Sequence, residues 1–292
     1  MIAEGRRGRI ERGENLAVLR RIPDGAIDLV YADPPFNTGK RRRLTRLRTV
    51  RDESGGRTGF GGRRYAATPG ESHSYEDRFD DYEGFLAPRL RELHRVLAPH
   101  GTLYLHLDWR EAHGCKLLLD EIFGRAQFLN EIVWAYDYGG RPKDRWPAKH
   151  DTILVYVREA GRHVFDGEAV EREPYMAPGL VGPEKAARGK LPTDVWWHTI
   201  VPTTGRERTG YPTQKPLGIL RRMVAASSRA GALVLDPFAG SGTTGAACLE
   251  LGRRFWLVDE SADALAVMAR RFAGTPDLEW VGVQPSDRER AG

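Results

Sequence analysis

The fold is decided by the stretch Leu233-Val-Leu-Asp-Pro-Phe-Ala-Gly-Ser-Gly-Thr-Thr-Gly245, in which an apolar run ends at an acid and enters a glycine-rich turn. The pattern predicts a strand, a tight loop and the start of a helix. Gly240, Gly242 and Gly245 give the G-x-G-x-x-G spacing, and their missing side chains let the backbone turn sharply and approach a ligand. Asp236 falls at the carboxyl end of the strand, where open α/β sheets bind their ligands.

A second predicted strand, Arg254-Phe-Trp-Leu-Val-Asp259, follows this helix and also ends at an acid. Asp259 is therefore placed to accept hydrogen bonds from a ribose, which predicts a nucleoside site. The glycine spacing alone leaves the ligand open, because it also serves dinucleotides and simple packing turns. A phosphate-binding P-loop is disfavoured, since no Gly-Lys-Ser/Thr follows.

Length and composition favour one elaborated α/β domain over residues 1–292, with insertions. The formal net charge of +5 is compatible with a polyanionic partner without requiring one. Cys115 and Cys248 have no metal-ligand spacing, so no metal site is expected. The amino-terminal residues lack an apolar core, and no segment is long and apolar enough to cross a bilayer. The expectation is a soluble cytoplasmic protein without a membrane partner.

A second acid at a strand end occurs far earlier in the chain. The apolar run Ile27 to Ala32 predicts a buried strand, and Asp33-Pro-Pro-Phe36 follows it directly. Two prolines alone could make this a rigid exit turn. The same turn also holds a carboxylate, a backbone carbonyl and an aromatic face together, which is an arrangement suited to a small planar ligand.

Two basic segments interrupt the regular pattern. Lys40 to Arg64 contains ten Lys or Arg against two acids and predicts a solvated irregular loop, within a basic flexible insertion of residues 38–75. Asp137 to His150 is a basic aromatic loop at the start of a second insertion, residues 137–192. Basic loops beside a strand end are also suited to a phosphate backbone. The candidate phosphate-binding residues are Arg41, Arg42, Arg43, Arg141, Lys143, Arg145 and Lys149.

Strands and helices alternate through the rest of the chain. Helices are predicted from about Asn15 and Tyr82, over Glu111 to Phe123, Leu217 to Ser228 and about Ala262 to Phe272; strands are predicted over Gly101 to Asp108, Asn130 to Tyr136, Asp151 to Val157 and from Leu278. This alternation predicts a largely parallel sheet with helices on both faces. Trp196 and Trp197 are expected to be core residues rather than part of a binding face.

Several motifs in this order resemble the β group of DNA amino-methyltransferases. They are Ala32-Asp-Pro-Pro-Phe-Asn-Thr-Gly39, Gly101-Thr-Leu-Tyr-Leu-His-Leu-Asp108, the strands that begin at Asn130 and at His150-Asp151, Tyr211-Pro-Thr-Gln-Lys-Pro216 and Leu235-Asp-Pro-Phe-Ala-Gly-Ser-Gly-Thr-Thr244. The catalytic half precedes the cofactor half, which defines this group as a circular permutation. The resemblance spans nearly the whole chain and implies a Rossmann-like, circularly permuted methyltransferase sheet with inserted DNA-recognition loops.

The resemblance implies S-adenosyl-L-methionine as the cofactor. Carried over by position, Asp259 takes the ribose hydroxyls and Asp236 meets the amino group of the methionine moiety, directly or through water. The glycine-rich loop wraps that moiety, and the segment before the helix at Leu217 closes the pocket. The residues implied are Asp236, Phe238, Ala239, Gly240, Ser241, Gly242, Asp259, Thr213, Gln214 and Lys215, with Lys215 suited to the cofactor carboxylate.

The turn Asp33, Pro34, Pro35, Phe36 suits the chemistry that the resemblance implies. An exocyclic amino nitrogen of adenine or cytosine is a poor nucleophile, because its lone pair is delocalised into the ring. Asp33 and the Pro34 carbonyl can each accept one N–H and favour a tetrahedral nitrogen, while Phe36 offers a stacking face. The target base must leave the duplex to reach this pocket, at a cost of a few kcal/mol.

Alternative functions are weighed on the same residues. A carbon-5 cytosine methyltransferase needs a nucleophilic cysteine after proline, whereas Cys115 follows Gly114 and Cys248 follows Ala247. An NAD-dependent oxidoreductase fits the glycine spacing, but only 47 residues follow Gly245 and Asp-Pro-Pro-Phe stays unexplained. Within the family that the chain resembles, aspartate at position 33 implies adenine N6 as the target, with cytosine N4 as the alternative. The recognition sequence, a partner restriction endonuclease and a homodimer are left open.

Overall fold

A computed structural model describes residues 2–3, 5–37, 40–51, 57–58, 64–77, 79–202 and 204–283, with the backbone alone at 40–51, 57–58 and 64–77. The chain divides into two compact units. One consists of Met1–Phe36 with Asp81–Gly292, and the other is Asn37–Asp80. The single domain and the insertion boundaries expected from the sequence stay predictions.

The described strands fall into two sheets. In chain order they are β1 (Gly8–Arg12), β2 (Ile27–Ala32), β3 (Lys40–Arg51), β4 (Arg57–Thr58), β5 (Arg64–Asp77), β6 (Leu97–Leu107), β7 (Phe128–Ala135), β8 (His150–Val157), β9 (Val195–Trp197), β10 (Leu233–Asp236), β11 (Arg254–Asp259) and β12 (Leu278–Val281). The larger sheet has nine described strands in the order β12-β1-β11-β10-β2-β6-β8-β7-β9.

The larger sheet is parallel from β12 to β6, and it becomes mixed beyond that strand. Strand β8 runs antiparallel to both β6 and β7, and β9 is parallel to β7. The expected α/β architecture with a largely parallel sheet is confirmed, and β8 is the one antiparallel strand among those described in this sheet. Because β7 and β8 are consecutive strands joined by one loop, antiparallel pairing brings them together without a crossover helix.

The described helices connect these strands. They are α1 (Asn15–Leu19), α2 (Tyr82–Val96), α3 (Ala112–Phe123), α4 (Pro183–Arg188), α5 (Leu217–Ser227), α6 (Thr243–Glu250) and α7 (Ala262–Arg271). Side-chain caps fix several starts: Asp81 accepts the Gly84 N–H at 2.7 Å before α2, and Ser261 accepts the Ala264 N–H before α7. The helices predicted over Glu111 to Phe123, Leu217 to Ser228 and about Ala262 to Phe272 agree with α3, α5 and α7 to within one residue at each end.

The smaller unit corrects one expectation. The sequence predicts an irregular loop over Lys40 to Arg64, whereas β3 pairs with β5 in an antiparallel ladder that starts at Lys40↔Asp77, and β4 pairs with β5. The apolar and β-branched residues Leu44, Leu47, Thr49 and Val50 suit strands. The prediction of a loop is wrong for the paired residues, because the high arginine content indicated a loop more strongly than these few apolar residues indicated strands.

The core of the larger unit is built from the apolar strands and the faces of the helices that cover them. Leu29, Leu235 and Leu257 on three adjacent parallel strands are each fully buried. Trp196 is a core residue at 6% exposure, as expected, but Trp197 is 77% exposed and the prediction for it is wrong. The two alternate on β9, so their side chains point to opposite faces of this short outermost strand.

The parallel direction places several polar strand ends at one edge of the sheet. Strands β2, β6, β10 and β11 are mutually parallel, so the residues that follow them lie on the same edge, together with the start of antiparallel β8. No described helix is long and apolar enough to span a membrane. The described residues also contain no group of three potential metal ligands among His, Cys, Asp and Glu.

Candidate active site

The glycine-rich turn after β10 has the sharply turning backbone that its sequence predicts. Gly240 and Gly242 adopt φ values of +49° and +74°, a region that side-chain-bearing residues rarely occupy. A Cβ atom on Gly240 would lie 3.0 Å from the Tyr211 ring, and one on Gly242 would lie 2.9 Å from Met268 and Phe272. Both positions therefore require glycine for backbone conformation and for space.

Asp259 at the end of β11 holds this turn in place. One carboxylate oxygen accepts the Gly240 N–H at 2.8 Å, and the other accepts the Ser261 N–H at 2.9 Å. Burial raises the pKa of Asp259 to about 6. Each oxygen has a further lone pair, so the carboxylate can still accept hydrogen bonds from a pair of hydroxyl groups.

Asp236 at the end of β10 is a buried carboxylate with neutral partners. It is 2% exposed and accepts the Thr244 hydroxyl at 2.5 Å and the Phe238 N–H at 3.0 Å. Burial raises its pKa to about 7. Among the described residues no cation pairs with Asp236, so its carboxylate could form an ion pair with an ammonium group bound beside it.

Asp33 after β2 is paired with Lys215. The Lys215 Nζ atom donates to both carboxylate oxygens, at 2.8 Å and 2.7 Å, and both side chains are largely buried. This ion pair thus joins the turn after β2 to the segment that precedes α5. From the family resemblance Lys215 is expected at the cofactor carboxylate, so its contact with Asp33 is a finding that the sequence did not provide.

The remainder of the Asp-Pro-Pro-Phe turn is also fixed by contacts. The Pro35 carbonyl accepts the Tyr82 hydroxyl at 2.8 Å, which anchors the turn to the start of α2. Phe36 lies with its ring centroid 4.6 Å from Lys215 Nζ and 5.9 Å from the ring of His106. Phe36 is partly exposed, so one region of its ring remains available for stacking.

The segment before α5 lies against the glycine-rich turn. Tyr211 contacts Gly240 as described, and Thr213 has a φ of +61°. The Gln214 side chain accepts from the Thr209 N–H and donates to the Glu207 carbonyl, both at 2.8 Å. Gln214 therefore fixes the loop that leads to Lys215, and its predicted contact with a cofactor stays a prediction.

A buried polar cluster lies behind Asp33. It contains Tyr31, His106, Asp151 and Tyr136, linked by hydrogen bonds of 2.8 to 3.2 Å. Sequence reasoning quoted the motifs that carry His106 and Asp151 but assigned these side chains no role. The register of the strands could have indicated their place in the site. Parallel pairing of β2 with β6 places Tyr31 beside Tyr104, and the same register two residues further on places Asp33 beside His106.

Asp108, directly after β6, is another buried acid at this edge. It is 6% exposed and accepts the Arg110 N–H at 2.9 Å, with the Arg110 guanidinium also paired to it. Burial raises its pKa above the ordinary value. The site therefore contains four acids at the ends of neighbouring strands, Asp33, Asp108, Asp236 and Asp259. Two of them are paired with cations, Asp33 with Lys215 and Asp108 with Arg110.

The candidate DNA-binding residues on the basic loop between β7 and β8 are of two kinds. Lys149 donates to the carbonyl groups of Tyr138 and Gly140, at 2.8 and 2.9 Å, so it braces the loop. Arg141, Lys143 and Arg145 are exposed, and the two arginines form exposed ion pairs with acids of the same loop. The side chains of Arg41, Arg42 and Arg43 lie outside the described part of the chain.

Comparison with known sequences gives a family for this arrangement. Residues 27–270 match the family model whose description is DNA methylase. The chain is 32% identical over 271 residues to the DNA adenine methyltransferase YhdJ of Escherichia coli K12, covering 90% of this chain and 82% of that protein.

Solved structures agree on the fold. A putative DNA modification methylase of Thermus thermophilus, in complex with S-adenosyl-L-methionine, superposes with a TM-score of 0.58 at 22% identity, covering 94% of this chain and 99% of that one. The cytosine-N4-specific PvuII DNA methyltransferase superposes with a TM-score of 0.63 at 15% identity, covering 92% and 88%. Both share the α/β architecture described above.

Proposed function

The chain belongs to the DNA methylase family, and from that premise we propose that it methylates adenine N6 in duplex DNA through the site at Asp33. It is a methyltransferase that uses S-adenosyl-L-methionine and acts on an exocyclic amino group of a DNA base. This family assignment excludes the nicotinamide oxidoreductase alternative. The observation that carries the proposal is the pairing of Asp33 with Lys215 at the edge where the glycine-rich turn also lies.

The described residues fit the cofactor. A Cβ on Gly240 or Gly242 would meet Tyr211, Met268 or Phe272, so both glycines are needed for the shape of the turn on which the cofactor is expected to lie. Asp259 has acceptor capacity for two ribose hydroxyls, and Asp236 offers a buried carboxylate to an ammonium group. Phe238, Ala239 and Ser241 complete the turn, and Thr213 and Gln214 belong to the loop that faces it. The bound cofactor supplies a methyl group on a positively charged sulfur.

The residues of the first strand end supply the acceptors that the reaction needs. An amino nitrogen conjugated with the base ring attacks poorly until its lone pair is freed. Asp33 accepts one N–H of this amino group and the Pro34 carbonyl accepts the other, which favours a tetrahedral nitrogen. Pro35 holds the turn rigid through its hydrogen bond with Tyr82, and Phe36 stacks on the base. Fixed acceptors of this kind stabilise the positive charge that develops on the nitrogen.

Lys215 orients the Asp33 carboxylate for this task. Two of its three ammonium hydrogens bond the two carboxylate oxygens, so the plane of the carboxylate is fixed. The third donor is then available to a carboxylate of the bound cofactor. The contact seen with Asp33 and the contact expected from the resemblance are therefore compatible, and Lys215 would link the two halves of the site.

Adenine is favoured over cytosine by two observations. The relative with 32% identity is a DNA adenine methyltransferase, and aspartate at position 33 is the residue that the resemblance associates with adenine N6. Cytosine N4 presents an amino group to the same two acceptors and remains the alternative, because the chemistry at the nitrogen is the same for both bases.

The basic loop is proposed as part of the DNA-binding face. Arg141, Lys143 and Arg145 are exposed on the loop that joins β7 to β8, at the edge of the sheet that carries Asp33. Contacts between arginine or lysine and phosphate groups would offset the few kcal/mol needed to rotate the base out of the duplex. Lys149 supports this face by bracing the loop. A homodimer and a companion endonuclease stay predictions from the resemblance.

The experiment that tests the proposal is methylation of unmethylated genomic DNA. The protein is incubated with DNA and S-adenosyl-L-methionine, the DNA is digested to nucleosides, and the products are identified by mass spectrometry. N6-methyladenine is expected. N4-methylcytosine would overturn the choice of base while leaving the mechanism intact, and the absence of any methylated base from a protein that binds the cofactor would overturn the proposed substrate.

A further inference from the structure

His106 on β6 is a fully buried histidine with both ring nitrogens engaged. The Tyr31 hydroxyl lies 2.8 Å from Nδ1, and an Asp151 carboxylate oxygen lies 3.2 Å from Nε2. Tyr31 and Asp151 are 3% and 7% exposed, so the imidazole and these two partners are buried. Three adjacent strands, β2, β6 and β8, contribute one side chain each, and the imidazole ring is held from two opposite sides.

The hydrogen-bond directions follow from Asp151. Burial alone would raise the pKa of Asp151, but His106, Lys215 and Tyr136 hold it below the ordinary value, so the carboxylate is ionised and only accepts. Nε2 therefore carries a ring hydrogen and donates to Asp151, which leaves Nδ1 to accept from the Tyr31 hydroxyl. Since turning the ring would break both bonds, its orientation is fixed.

The fixed ring of His106 contacts the turn that carries Asp33. Its centroid is 5.9 Å from that of Phe36, with the planes tilted by 36°, and 5.5 Å from that of Trp134, which meets it edge-on. Trp134 is itself anchored by donating its indole N–H to the His198 carbonyl at 2.6 Å. Phe36 thus rests against a ring whose position is set by three strands.

We propose that His106 is a positioning residue for methyl transfer, held by Tyr31 and Asp151 so that it fixes the Phe36 ring. The inference rests on the proposed role of Phe36 in stacking on the target base. A base that stacks on a displaced ring presents its amino group to Asp33 in the wrong place. A misplacement of about 1 Å at a reacting centre lowers a rate by about 100-fold.

A role in stability alone would have different consequences. Loss of one buried hydrogen bond costs about 1 kcal/mol and lowers the unfolding midpoint wherever it occurs. Tyr104 provides the matched control, because it lies on the same strand and face as His106 and its hydroxyl is 2.7 Å from that of buried Ser227. No described ring contact joins Tyr104 to Phe36.

The test compares Tyr31→Phe and His106→Phe with Tyr104→Phe. Tyr31→Phe removes one anchor of the imidazole and keeps the bond to Asp151, whereas His106→Phe keeps a ring and removes both anchors. The kinetic constants are measured with unmethylated genomic DNA and S-adenosyl-L-methionine, with the thermal midpoint of each variant. We expect kcat to fall by about 10-fold for Tyr31→Phe and about 100-fold for His106→Phe, with KM for the cofactor within about 2-fold.

The control decides between positioning and stability. Tyr104→Phe should lower the thermal midpoint as much as Tyr31→Phe does and leave kcat unchanged. Unchanged kcat in Tyr31→Phe, or equal kcat losses in Tyr31→Phe and Tyr104→Phe, would overturn the inference, and so would a parallel loss of cofactor affinity. Tyr31→Phe carries the test if His106→Phe does not fold. An active Asp33→Asn enzyme would instead overturn the proposed active site.

Discussion

Lys215 is the residue at which the structure adds most to the sequence. The motif Tyr211-Pro-Thr-Gln-Lys-Pro216 identifies it as part of the site, but its partner, Asp33, is 182 positions away along the chain. Local sequence carries no signal for such a pair, because the contact exists only after folding has brought the segment before α5 to the end of β2. The acids Asp33, Asp236 and Asp259 could be predicted, since each ends an apolar run.

Lys215→Met tests the role of this ion pair. We expect kcat to fall by about 10- to 100-fold, because the Asp33 carboxylate loses the two hydrogen bonds that orient it. The affinity for S-adenosyl-L-methionine, measured by calorimetry, should also fall because the third donor of Lys215 is lost, but by a smaller factor than kcat. Lys116→Met is the matched control, since Lys116 binds the two oxygens of Asp120 at 2.7 and 2.8 Å on α3.

The opposite balance would favour the role that the family resemblance implies. If Lys215→Met weakens cofactor affinity strongly and leaves kcat at saturating cofactor unchanged, the lysine acts on the cofactor carboxylate alone. Lys116→Met should match the wild-type protein in both measurements.

The raised pKa of Asp236 predicts that the free energy of unfolding depends on pH. Burial raises its pKa in the folded protein to about 7, above the ordinary value of 3.8. A raised pKa means that the folded state holds a proton that the unfolded state releases. The contribution to stability is therefore full below about pH 4 and is lost as the pH rises through 7, by an amount on the order of a few kcal/mol.

Asp236→Asn should remove this dependence, because the amide does not ionise. The variant should gain in free energy of unfolding relative to the wild type as the pH rises from 5 to 8, as measured by chemical denaturation of the protein without ligand. If the difference in free energy of unfolding between the two proteins stays constant from pH 5 to 8, the raised pKa of Asp236 is contradicted. Asn retains an oxygen that can accept the Phe238 N–H.

Among the elements, the strand, turn and helix around Gly240 follow most directly from sequence. An apolar run, an acid and spaced glycines specify β10, the turn and α6, and the structure places the helix start at Thr243. The pairing of β3 with β5 could not be predicted in the same way. Its strand residues are interleaved with arginines, so the alternation of apolar side chains is weak and the composition indicates a loop.

Gly240→Ala tests whether the conformation of this turn is needed for cofactor binding. The added Cβ would lie 3.0 Å from the Tyr211 ring at a φ of +49°, so either the ring or the turn must give slightly and the backbone is strained. We expect cofactor affinity to fall by about 10-fold or more, as measured by calorimetry, with about 1–2 kcal/mol of lost stability from the left-handed backbone. Gly252→Ala is the control.

The Gly252→Ala control distinguishes the effect of backbone strain from the effect of crowding by a neighbouring side chain. Gly252 has a φ of +69° and open space where a Cβ would stand. Its alanine variant should lose a similar amount of stability and bind the cofactor normally. Equal losses of affinity in the two variants would show that the effect at Gly240 is general destabilisation.

At the scale of the whole molecule, one edge of the sheet brings together two motifs separated by about 200 residues. Parallel pairing of β10 with both β2 and β11 makes Asp33 and the acids Asp236 and Asp259 neighbours. The alternation of strands and helices predicts this edge, and the order of motifs indicates the permutation. The antiparallel direction of β8, which brings Asp151 to the same edge, was not predicted because strand direction depends on the connection rather than on local pattern.

In this architecture the reaction and cofactor binding are assigned to different strand ends: β2 carries the groups that meet the target amino group, and β10 and β11 carry those that hold the cofactor. This assignment is the central claim, and it makes opposite expectations for two acids. Asp259→Ala should weaken cofactor binding first. Asp33→Asn should stop the reaction with the cofactor still bound.

The most direct measurement is therefore made on Asp33→Asn, with methyl transfer to unmethylated genomic DNA and cofactor affinity determined on the same preparation. We expect the rate of methyl transfer to fall by at least about 100-fold, because the main acceptor for the amino group loses its charge. The dissociation constant for S-adenosyl-L-methionine should stay within about 3-fold of the wild-type value. A variant that still methylates DNA at the wild-type rate, or one whose cofactor affinity falls as much as its rate, would contradict the account.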